Sequence, residues 1–573
     1  MKTKLKMIIN NKETEFTKGE TIFQVAKKAG LFIPTLCYME GYKPSGACRI
    51  CVVEDVKSGR LIASCSYPAE AGMEVRTDSP QVRMSRKKII ELMLSNHPQD
   101  CLTCTKSGFC LLQDLSKQYG IDEITFQGGA KKKAVIDKAS PSIVRDMAKC
   151  ILCGRCVTVC SEKQGVSAID FSHRGFNTQV SPGSFKSLAE GNCVSCGQCI
   201  MACPVGALHE VSHKKLVIDA MINPNKKVAF QFAPACQMTF PEYFKKSISV
   251  DDATKKIIGA LRGIGVDFVF DTCTAADITI MEEAKELVER LTKKTKPLPM
   301  FTSCCPAWIN FIETFYPKHT KHLSSCKSPH MMKGALIKHL SEKLLKVKAK
   351  DLFVVSVMPC VAKKSETGRP QLENEGLANV DAVLTTRELF SLLDEYGLQY
   401  EKIQDSDYDR PFSTASGAGK IFGATGGVME AAIRTAYHMV TGKELANVEY
   451  KPVRGMSEIK RAAVDIDGTI VNVAVVNGLK NVVEIMEDIS SGKSDLHFVE
   501  VMSCPAGCVG GAGQPYTTDV EHLKSRTKTT YKEDENAAIR CSHHNPDVKE
   551  IYSKHINEHD AHELLHTRYK GDK

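Results

Sequence analysis

The distribution of cysteine constrains this chain more than any other feature of its sequence. Of 24 cysteines in 573 residues, the first 15 fall between Cys37 and Cys203, and most have only two or three residues between them and another cysteine. We find no run of 18 apolar residues and no export signal, so we expect a cytoplasmic protein whose cysteines stay reduced. Reduced cysteines at such close spacing indicate metal binding rather than disulfide cross-linking.

Two runs of four cysteines repeat the spacing C-x2-C-x2-C-x3-C, at 150–160 and 193–203, and the second run is followed by Pro204. In two-cluster bacterial ferredoxins the fourth cysteine of each run ligates the other cluster. Ser161, where proline is common, and a 32-residue spacer depart from the smallest ferredoxins without removing a ligand. The repeat therefore predicts two 4Fe-4S clusters, one on Cys150, Cys153, Cys156 and Cys203 and one on Cys193, Cys196, Cys199 and Cys160.

A different cysteine pattern, C-x10-C-x2-C-x13-C, follows two short alternating strands and a helical segment near the N-terminus. Four thiolates are what a 2Fe-2S cluster needs. A zinc site is the alternative, but structural zinc sites usually have two CxxC pairs and this loop has one. The predicted ligands are Cys37, Cys48, Cys51 and Cys65.

The next segment reads as a helix followed by a loop that contains Cys101, Cys104 and Cys110. Three thiolates leave a 4Fe-4S cluster one ligand short, and His97 is the nearest residue able to complete it. Alternatively, His97 is an ordinary loop histidine and the fourth ligand comes from elsewhere. A neutral imidazole in place of a thiolate removes one negative charge and would raise the cluster potential.

The ligand count closes over the N-terminal third, because four clusters need 16 ligands and 15 cysteines plus His97 supply them. Such a series is interpreted as an electron-transfer chain. A site that uses one or two electrons is therefore expected in the remaining 370 residues.

From residue 213 onward, apolar strand-like runs alternate with helical segments, which predicts parallel sheets covered by helices. Three runs end in cysteine, namely PLPMFTSCC, DLFVVSVMPC and DLHFVEVMSCPAGC. Because ligands in open α/β sheets gather beyond the carboxyl ends of strands, these cysteines can converge. The alternative is buried structural thiols, but the flanking Pro306, Pro359, Pro505 and GGAGQP run favour positions in loops.

Three C-terminal motifs resemble the active-site motifs of the iron-iron (FeFe) hydrogenases: TSCCPAW (302–308), MPCVAKKSE (358–366) and EVMSCPAGCVGGAGQP (500–515). The N-terminal cysteine pattern, its histidine motif and the tail NPDVKEIY…AHELLHTRY are similar to the large monomeric clostridial members. The resemblance implies interconversion of H2 with two protons and two electrons, and ligation by His97. It also implies an H-cluster, in which a 4Fe-4S cube joins a two-iron unit carrying CO, cyanide and an azadithiolate bridge.

By motif position, the resemblance implies four ligands for the H-cluster cube, with Cys508 also bridging to the two-iron unit. These ligands are Cys305, Cys360, Cys504 and Cys508.

The resemblance leaves Cys304 unligated. Adjacent residues on one turn rarely point at the same corner of a cube, so this thiol is free to pass protons to the bridging amine. The implied relay to solvent runs through Cys304, Glu283, Ser324 and Glu286. Glu283 and Glu286 are three residues apart and share one helix face; without the resemblance they would be interpreted as an exposed charged face.

Lys363 matches the position that donates a hydrogen bond to a cyanide ligand, where pairing of opposite charges offsets the cost of burial. Pro234, Met358 and Met502 match positions that line the pocket. Phe422 is expected as an apolar wall that limits access of gas and water.

Several positions depart from the common family pattern, and none of them is a predicted ligand. Polarity and hydrogen bonding around ligands tune metal potentials, so we hypothesise a bias towards H2 oxidation. The Ala307 form resembles a clostridial subgroup. Cys236 and Cys326 are extra thiols expected near the site. The substituted positions are Ala307, Ser503, Ala512, His330 and Ala235.

The net charge is +9, with basic runs at 83–88 and 131–133. Aromatic residues make up only 7% of the chain and are not interleaved with these runs, so nucleic-acid binding is not expected. A ferredoxin or similar small acidic electron carrier fits this charge. We also expect a monomer that binds no membrane and needs maturation proteins for its two-iron unit.

Three other functions share part of this sequence pattern. An electron-input subunit of an NADH or formate dehydrogenase would lack the three C-terminal motifs. A non-catalytic sensor or cluster-assembly protein would be expected to lose the route through Cys304, Glu283 and Glu286. A catalytic subunit of a multimeric NAD-linked hydrogenase stays open, because a partner could bring the nucleotide site that this chain lacks.

The sequence thus predicts an α/β multidomain protein with four domains. They are a β-grasp 2Fe-2S ferredoxin-like domain at 1–81, a small His/Cys 4Fe-4S domain at 82–128, a two-cluster bacterial ferredoxin-like domain at 129–212 and an α/β H-cluster domain with parallel sheets at 213–573.

Overall fold

The computed structural model describes residues 4–126, 135–184, 187–244, 247–410, 412–517 and 519–570. The basic run at 131–133 and the predicted boundary at 128/129 lie outside the described residues. Two compact units are formed, one by residues 1–162, 167–191 and 199–209 and the other by residues 163–166, 192–198 and 210–573. Within the described ranges, we find no helix with the length and apolar character that a membrane crossing requires.

A five-stranded sheet in the order β2-β1-β5-β3-β4 opens the N-terminal unit. Strands β1 and β2 form an antiparallel hairpin, and β5 pairs with β1 in the parallel direction. Helix α1 begins with a capping box on Thr21 and buries Ile22, Val25 and Ala26 in the core of this sheet. The predicted β-grasp arrangement is confirmed. Its elements are β1 (Lys4–Ile9), β2 (Lys12–Thr17), α1 (Ile22–Lys28), β3 (Val52–Asp55), β4 (Leu61–Ala63) and β5 (Glu74–Arg76).

Helix α2 follows, capped by Ser79 and ended by the extended backbone of His97. The buried Arg86 on this helix donates to the carbonyl of Val52 at 2.7 Å and so ties α2 to the first sheet. Short elements complete this part of the chain, including a three-stranded sheet in the order β10-β7-β6. They are α2 (Pro80–Asn96), α3 (Leu111–Gln118), β6 (Ile136–Asp137), β7 (Ile143–Asp146), α4 (Arg155–Thr158), β8 (Asp170–Ser172), β9 (Gln179–Ser181), α5 (Gln198–Ala202) and β10 (Leu208–Glu210).

The C-terminal unit contains two separate four-stranded sheets. Its elements are α6 (Lys214–Ile222), β11 (Lys227–Phe232), α7 (Pro234–Gln237), α8 (Phe240–Tyr243), α9 (Val250–Gly263), β12 (Phe268–Asp271), α10 (Cys273–Lys293), β13 (Met300–Phe301), α11 (Pro306–Phe315), α12 (Pro329–Leu345), β14 (Leu352–Met358), α13 (Lys363–Glu366), β15 (Glu373–Asn374), β16 (Leu377–Ala378), β17 (Ala382–Thr385), α14 (Thr386–Glu395), α15 (Gly417–Ile421), α16 (Gly427–Thr441), β18 (Ile459–Ile466), β19 (Thr469–Asn477), α17 (Val482–Ser490), β20 (Phe498–Met502), α18 (Val520–Glu535), α19 (Pro546–Glu550) and α20 (Glu558–Leu565).

The first of these sheets, in the order β12-β11-β14-β17, is parallel throughout. The second has the order β13-β20-β19-β18, in which only β18 is antiparallel to its neighbour. Strands buried on both faces, such as β14 and β20, are almost entirely apolar, as expected when helices cover a parallel sheet. The predicted parallel α/β architecture is therefore confirmed, with the cysteine-ended strands divided between two sheets.

Candidate active site

One cavity of about 70 Å³ lies where three strands from the two sheets end. Strand β14 of the first sheet leads into Cys360, and strands β13 and β20 of the second lead into the other cysteines. The convergence follows from the parallel strand directions, because the carboxyl ends of parallel strands share one edge. The cysteines that line this cavity are Cys304, Cys305, Cys360, Cys504 and Cys508.

The donor set in this cavity fits a metal cluster. Burial, and then the charge of neighbouring Cys305, raises the pKa of Cys504 to about 11. Burial and then the charges of Cys504, Cys360 and Cys305 likewise raise the pKa of Cys508 well above its ordinary value. Thiols this close repel one another when ionised, and metal cations at their centre would reverse that cost.

Gly511 allows the backbones of two cysteine-bearing loops to approach each other closely. A Cβ atom on Gly511 would stand 2.1 Å from the carbonyl oxygen of Pro359, so any larger residue would force the two cysteine-bearing loops apart. The GGAGQP run thus has a packing reason for its glycine at this position.

The remaining lining is largely apolar and includes all four residues predicted to face the cofactor. Pro234 starts α7, Met358 ends β14 and Met502 ends β20, while Phe422 follows α15. These side chains are almost fully buried. An apolar wall of this kind lowers the local dielectric around any charged group in the cavity.

Lys363 also lines the cavity, at the start of α13. Its Nζ atom donates to the carbonyl of Cys304 at 3.0 Å and to Oε2 of Glu366 at 2.7 Å. The same carboxylate oxygen lies 2.7 Å from Nε2 of the cavity residue His330. Burial would raise the pKa of Glu366, but the charges and hydrogen bonds of Lys363 and His330 together hold that pKa at about 2.

Sequence reasoning missed Glu366, although its three-residue spacing from Lys363 on one helix was available as a signal. Burial lowers the pKa of His330 to about 4, so this imidazole is neutral and donates Nε2–H to Glu366. Glu366 therefore positions two residues of the cavity at once.

One of the substituted family positions contacts two of the predicted ligands directly. The hydroxyl of Ser503 lies 3.5 Å from Sγ of Cys305 and 3.7 Å from Sγ of Cys504. The expectation that Cys236 and Cys326 stand near the site holds only loosely, because neither lines the cavity and both are in hydrophobic cores.

The four residues of the predicted proton relay are brought together on helix α10 and the segments that pack beside it. Glu283 is fully buried, and its carboxylate oxygens make no well-formed hydrogen bond among the described residues, although the N–H of Ser303 and the hydroxyl of Ser324 are close enough to lower its pKa. Burial, and then the charge of Glu286, raises the pKa of Glu283 to about 8. The interpretation of these glutamates as an exposed charged face is wrong, since packing of α10 against α12, α15 and α16 buries Glu283 completely and leaves the Glu286 side chain only 12% exposed.

The pKa values of the two ends of the predicted relay, Cys304 and Glu286, are shifted in opposite directions. Burial, and then the charge of Glu283, raises the pKa of the Cys304 thiol well above its ordinary value. At the other end, Oγ of Ser324 donates to Oε2 of Glu286 at 3.2 Å. Burial would raise the pKa of Glu286, but the charges of Arg290 and Lys296 hold it at about 2. A neutral carboxyl inside and an ionised one outside are suited to stepwise proton transfer.

Comparison with known protein families matches the profile described as iron only hydrogenase large subunit, C-terminal domain, to residues 226–512. This is half of the chain. The chain belongs to the iron-only (FeFe) hydrogenase family. Further matches are the 2Fe-2S iron-sulfur cluster binding domain at 2–80, the NADH-ubiquinone oxidoreductase-G iron-sulfur binding region at 86–125, the 4Fe-4S dicluster domain at 130–207 and the iron hydrogenase small subunit at 520–572.

Two relatives align with nearly the whole hydrogenase chain. The NADP-reducing hydrogenase subunit HndD of Solidesulfovibrio fructosivorans is 42% identical over 99% of this chain and 98% of its own length. Iron hydrogenase 1 of Clostridium pasteurianum is 38% identical over 98% of this chain and 99% of its own. A solved structure of an apo FeFe-hydrogenase HydA1 variant from Chlamydomonas reinhardtii matches 63% of this chain and all of its own, with 38% identity and a TM-score of 0.56. The protein is thus a hydrogenase with ferredoxin-like iron–sulfur domains.

In the N-terminal part of this hydrogenase, the four cysteines predicted to hold a 2Fe-2S cluster converge in a buried group. A hydrogen bond from Cys65 is the main cause that lowers the pKa of Cys51 to about 7. Backbone N–H groups of Ile50 and Leu36 point at Cys48. Four buried sulfurs with amides directed at them fit an iron–sulfur cluster.

His97 of the hydrogenase has one ring nitrogen engaged and one unpartnered. Its Nδ1 atom lies 2.7 Å from the carbonyl oxygen of Pro98, which can only accept, so Nδ1 carries the proton. Nε2 is then a bare lone pair, buried and without a partner among the described groups. Metal-ligating histidines commonly donate their other N–H to a carbonyl, so this arrangement fits a cluster ligand.

The structure groups the predicted ligands of the first ferredoxin-like cube in one cavity, whereas it gives less about those of the second. The cysteines predicted for the first cube line one small apolar cavity together, and these are Cys150, Cys153, Cys156 and Cys203. For the second cube, Cys160 accepts from the N–H of Ala168 at 3.2 Å, and Cys199 lies in α5 after Cys193 and Cys196. Shared ligation of the second cube stays a prediction.

Proposed function

We propose that this chain is a ferredoxin-linked hydrogenase that interconverts H2 with two protons and two electrons. The observation that carries the proposal is the single cavity at which five cysteines meet, with the buried carboxyl of Glu283 close enough to Cys304 to raise the pKa of that thiol. A cluster of sulfurs for redox chemistry and a protonated acid beside it are the two components that this reaction needs.

In this proposal Cys305, Cys360, Cys504 and Cys508 would hold the cube of the H-cluster, and Cys508 would also hold the two-iron unit. When bound, the H-cluster supplies an open iron site for heterolytic cleavage of H2 and takes up its electrons. Pro234, Met358, Met502 and Phe422 exclude water from it, which strengthens nearby electrostatic interactions.

Lys363 supplies the positive charge in this cavity. Its Nζ atom is held by the carbonyl of Cys304 and by Glu366, which leaves the remaining N–H for a cyanide ligand. Because the side chain is only 10% exposed, its charge acts in a weakly screened environment.

The protons are carried by side chains. When H2 is produced, Glu286 receives a proton from solvent and Ser324 exchanges its hydroxyl proton. Glu283 then becomes the neutral acid, and Cys304 delivers the proton into the cavity. In H2 oxidation the same hops run in reverse. Glu283 is neutral below about pH 8, so at neutral pH it can donate without first collecting a proton.

The accessory clusters are proposed as one 2Fe-2S cluster and three 4Fe-4S clusters, on the ligands predicted from spacing. The family matches at 2–80, 86–125 and 130–207 support a division into domains at 1–81, 82–128, 129–212 and 213–573. Electrons would pass from the H-cluster through the two ferredoxin-like cubes, then through the 2Fe-2S or the His97 cluster.

A small acidic ferredoxin is proposed as the electron carrier, on the basis of the net charge of +9. The KM for ferredoxin is expected to rise with ionic strength, because salt screens attraction between opposite charges. A KM that does not change with salt would argue against this carrier. The proposed bias to H2 oxidation is tested on an electrode, where similar rates in both directions near the equilibrium potential would contradict it.

A second candidate is the catalytic subunit of a multi-subunit NADP-linked hydrogenase. The 42% identity to a relative named as a subunit of an NADP-reducing hydrogenase favours it. Purification from native cells distinguishes the two: a single chain that reduces ferredoxin supports the first candidate, and co-purified flavoprotein subunits that reduce NADP support the second.

The central experiment is infrared spectroscopy of the anaerobically matured protein. Intrinsic CO and cyanide bands, together with H2 turnover, are expected. Protein with full iron content and complete maturation that shows neither would refute the proposed function.

A further inference from the structure

A group of three histidines and one glutamate lies away from the cavity, where helix α16 ends and the segment before α19 passes it. His438 is in the last turn of α16, Glu444 follows the helix, and His543 and His544 form a 3-10 turn. Their ring nitrogens stand 3.0, 3.2 and 3.2 Å from the same Oε1 atom of Glu444. No family role predicted for this chain uses any of these residues.

Hydrogen bonding does not account for the whole arrangement. Nδ1 of His438 is inaccessible to solvent and has no hydrogen-bond partner in the part of the chain that is described, although Oε1 of Glu444 is only 3.0 Å away. A buried ring nitrogen that lies this close to a carboxylate oxygen without a hydrogen bond between them is left unsatisfied, and a cation bound between the two groups would satisfy it.

The separations also fit a metal. Ligand atoms at about 2.0–2.2 Å from a tetrahedral zinc ion stand roughly 3.3–3.5 Å apart. His438, Glu444 and His543 each offer one ligand atom within 4.8 Å of the other two. Thr435 lies 3.3 Å from the other ring nitrogen of His543, as outer partners of metal-bound histidines do.

We infer that His438, Glu444 and His543 form a binding site for a divalent transition-metal ion such as Zn²⁺, with His544 in reach as a fourth ligand. The rings of His438 and His543 are stacked at 4.1 Å with planes 9° apart, so binding requires a rotation of the His438 ring. That side chain is 35% exposed and has room to turn. The ion would tie the end of α16 to residues 541–545.

The test adds Zn²⁺ to anaerobic holoenzyme and measures zinc and iron per chain, followed by diffraction at the zinc absorption edge. One extra zinc per chain and an anomalous peak between these residues are expected. The double variant H438A/H543A should lose that zinc at unchanged iron content, whereas H559A, at an exposed histidine of α20, should keep it.

If the double variant does not fold, E444Q replaces it, because Glu444 is 46% exposed and its amide loses the charge but not the shape. A zinc-saturated wild type with no peak at this position would overturn the inference. Equal zinc in the wild type and a folded variant would do the same.

An independent observation concerns the far end of the proton relay and rests on the proposed function. Oε1 of Glu286 is paired with the buried Arg290 at 2.6 Å and with Lys296 at 3.3 Å. A guanidinium cannot be deprotonated in a protein and therefore cannot pass protons on. The other oxygen, Oε2, accepts from the hydroxyl of Ser325 at 3.0 Å.

From Ser325 a second chain of hydrogen bonds leads outward. Its hydroxyl lies 2.9 Å from Nδ1 of His566, and Nε2 of His566 lies 3.2 Å from Oε2 of Glu282, which also accepts from Tyr552. The bridge between Cys326 and His566 holds the C-terminal segment in this position. His566 is 16% exposed and so connects the buried carboxylates with solvent.

The geometry points to Ser325 and His566 as the outer section of the proton relay. In the inward direction a proton taken up by the carboxylate of Glu282 passes to Nε2 of His566, Nδ1–H passes its proton to the oxygen of Ser325, and the Ser325 hydroxyl proton moves to Glu286. Each hop breaks one bond to hydrogen and forms one. The imidazole is left neutral with its proton on Nε2, and rotation of the ring restores the starting tautomer.

The test compares H566A with H566N, whose amide keeps the contact to Ser325 but cannot exchange protons as imidazole does. Turnover is expected to fall at least about tenfold in both, and added imidazole should restore it in H566A. Infrared difference spectra in D2O should also show slower deuterium exchange at the Glu283 carboxyl group, without turnover. The CO and cyanide bands should not change.

C304A separates this inference from the proposed function. If C304A is inactive and both His566 variants turn over and exchange at wild-type rates, the exit through His566 is wrong and the inner relay stands. If C304A itself turns over normally, the relay as a whole is wrong. A loss in H566A that H566N restores would assign His566 a structural role and overturn the inference.

Discussion

Replacement of Glu283 by glutamine tests the proton relay at its most buried member. Burial and the charge of Glu286 raise the pKa of this carboxyl from an ordinary 4.5 to about 8. That difference corresponds to roughly 5 kcal/mol against ionisation. At pH 7 roughly 90% of Glu283 is then protonated, against about 0.3% for an ordinary glutamate. The variant E283Q removes this stored proton, and turnover should fall about 10²- to 10⁴-fold.

The assay is an infrared titration of the carboxyl C=O stretch from acid to alkaline pH, in H2O and D2O. Other buried carboxyls with a raised pKa, Asp271, Asp277 and Glu500, will contribute bands, so the difference between wild type and E283Q isolates that of Glu283. Since the carboxyl is protonated below its pKa, the band should be present at pH 7 and disappear with a midpoint near pH 8.

The matched control is E289Q, the same substitution on the same helix, where Glu289 pairs with Lys293 at 3.5 Å near the surface. It should leave the band and turnover unchanged. A Glu283 midpoint between pH 4 and 5, or wild-type turnover in E283Q with normal CO and cyanide bands, would refute the reasoning.

Substitutions at four further positions follow from the same structure. C304A should keep the CO and cyanide bands and lose nearly all H2 turnover, and normal turnover would show that another group carries the proton. E286Q removes a negative charge beside Glu283 and should lower the midpoint of its infrared titration; an unchanged midpoint would mean that the two carboxyls do not interact. H97C should retain four irons at that site with a lower reduction potential in an EPR-monitored titration, because a thiolate adds negative charge. If H97A keeps all of its iron, His97 is not a cluster ligand. K363M should weaken retention of the two-iron unit, seen as loss of CO and cyanide bands at constant cube iron.

The cluster pattern of the N-terminal part could be predicted because cluster ligation depends on local spacing. A short loop between cysteines sets the distance between their sulfurs almost regardless of the rest of the fold. One cavity is lined by Cys150, Cys153, Cys156 and the distant Cys203. This grouping is expected if the fourth cysteine of each run ligates the cluster of the other run. The first two strands of the N-terminal sheet and helix α1 were likewise predictable from the alternation of apolar and charged residues.

Burial could not be predicted in the same way. The charged segment of α10 resembles a solvated face, and only three helices packed around it put Glu283 out of contact with water. Glu366 was overlooked because its role depends on a contact that the sequence does not show. One of its carboxylate oxygens also contacts His330, which is 36 residues away. The contacts of Ser325 with His566 and of Glu444 with His543 join residues about 100 to 240 positions apart.

The sequence by itself determined the family, the kinds of ligand and the motifs that contain them. This was possible because metal ligation and strand formation depend on short, local sequence patterns. Tertiary structure alone decided which carboxyl holds a proton and which is ionised. The pKa of a side chain depends on its distance from water and from other charges, and those distances arise only when two sheets and their helices close around the cavity.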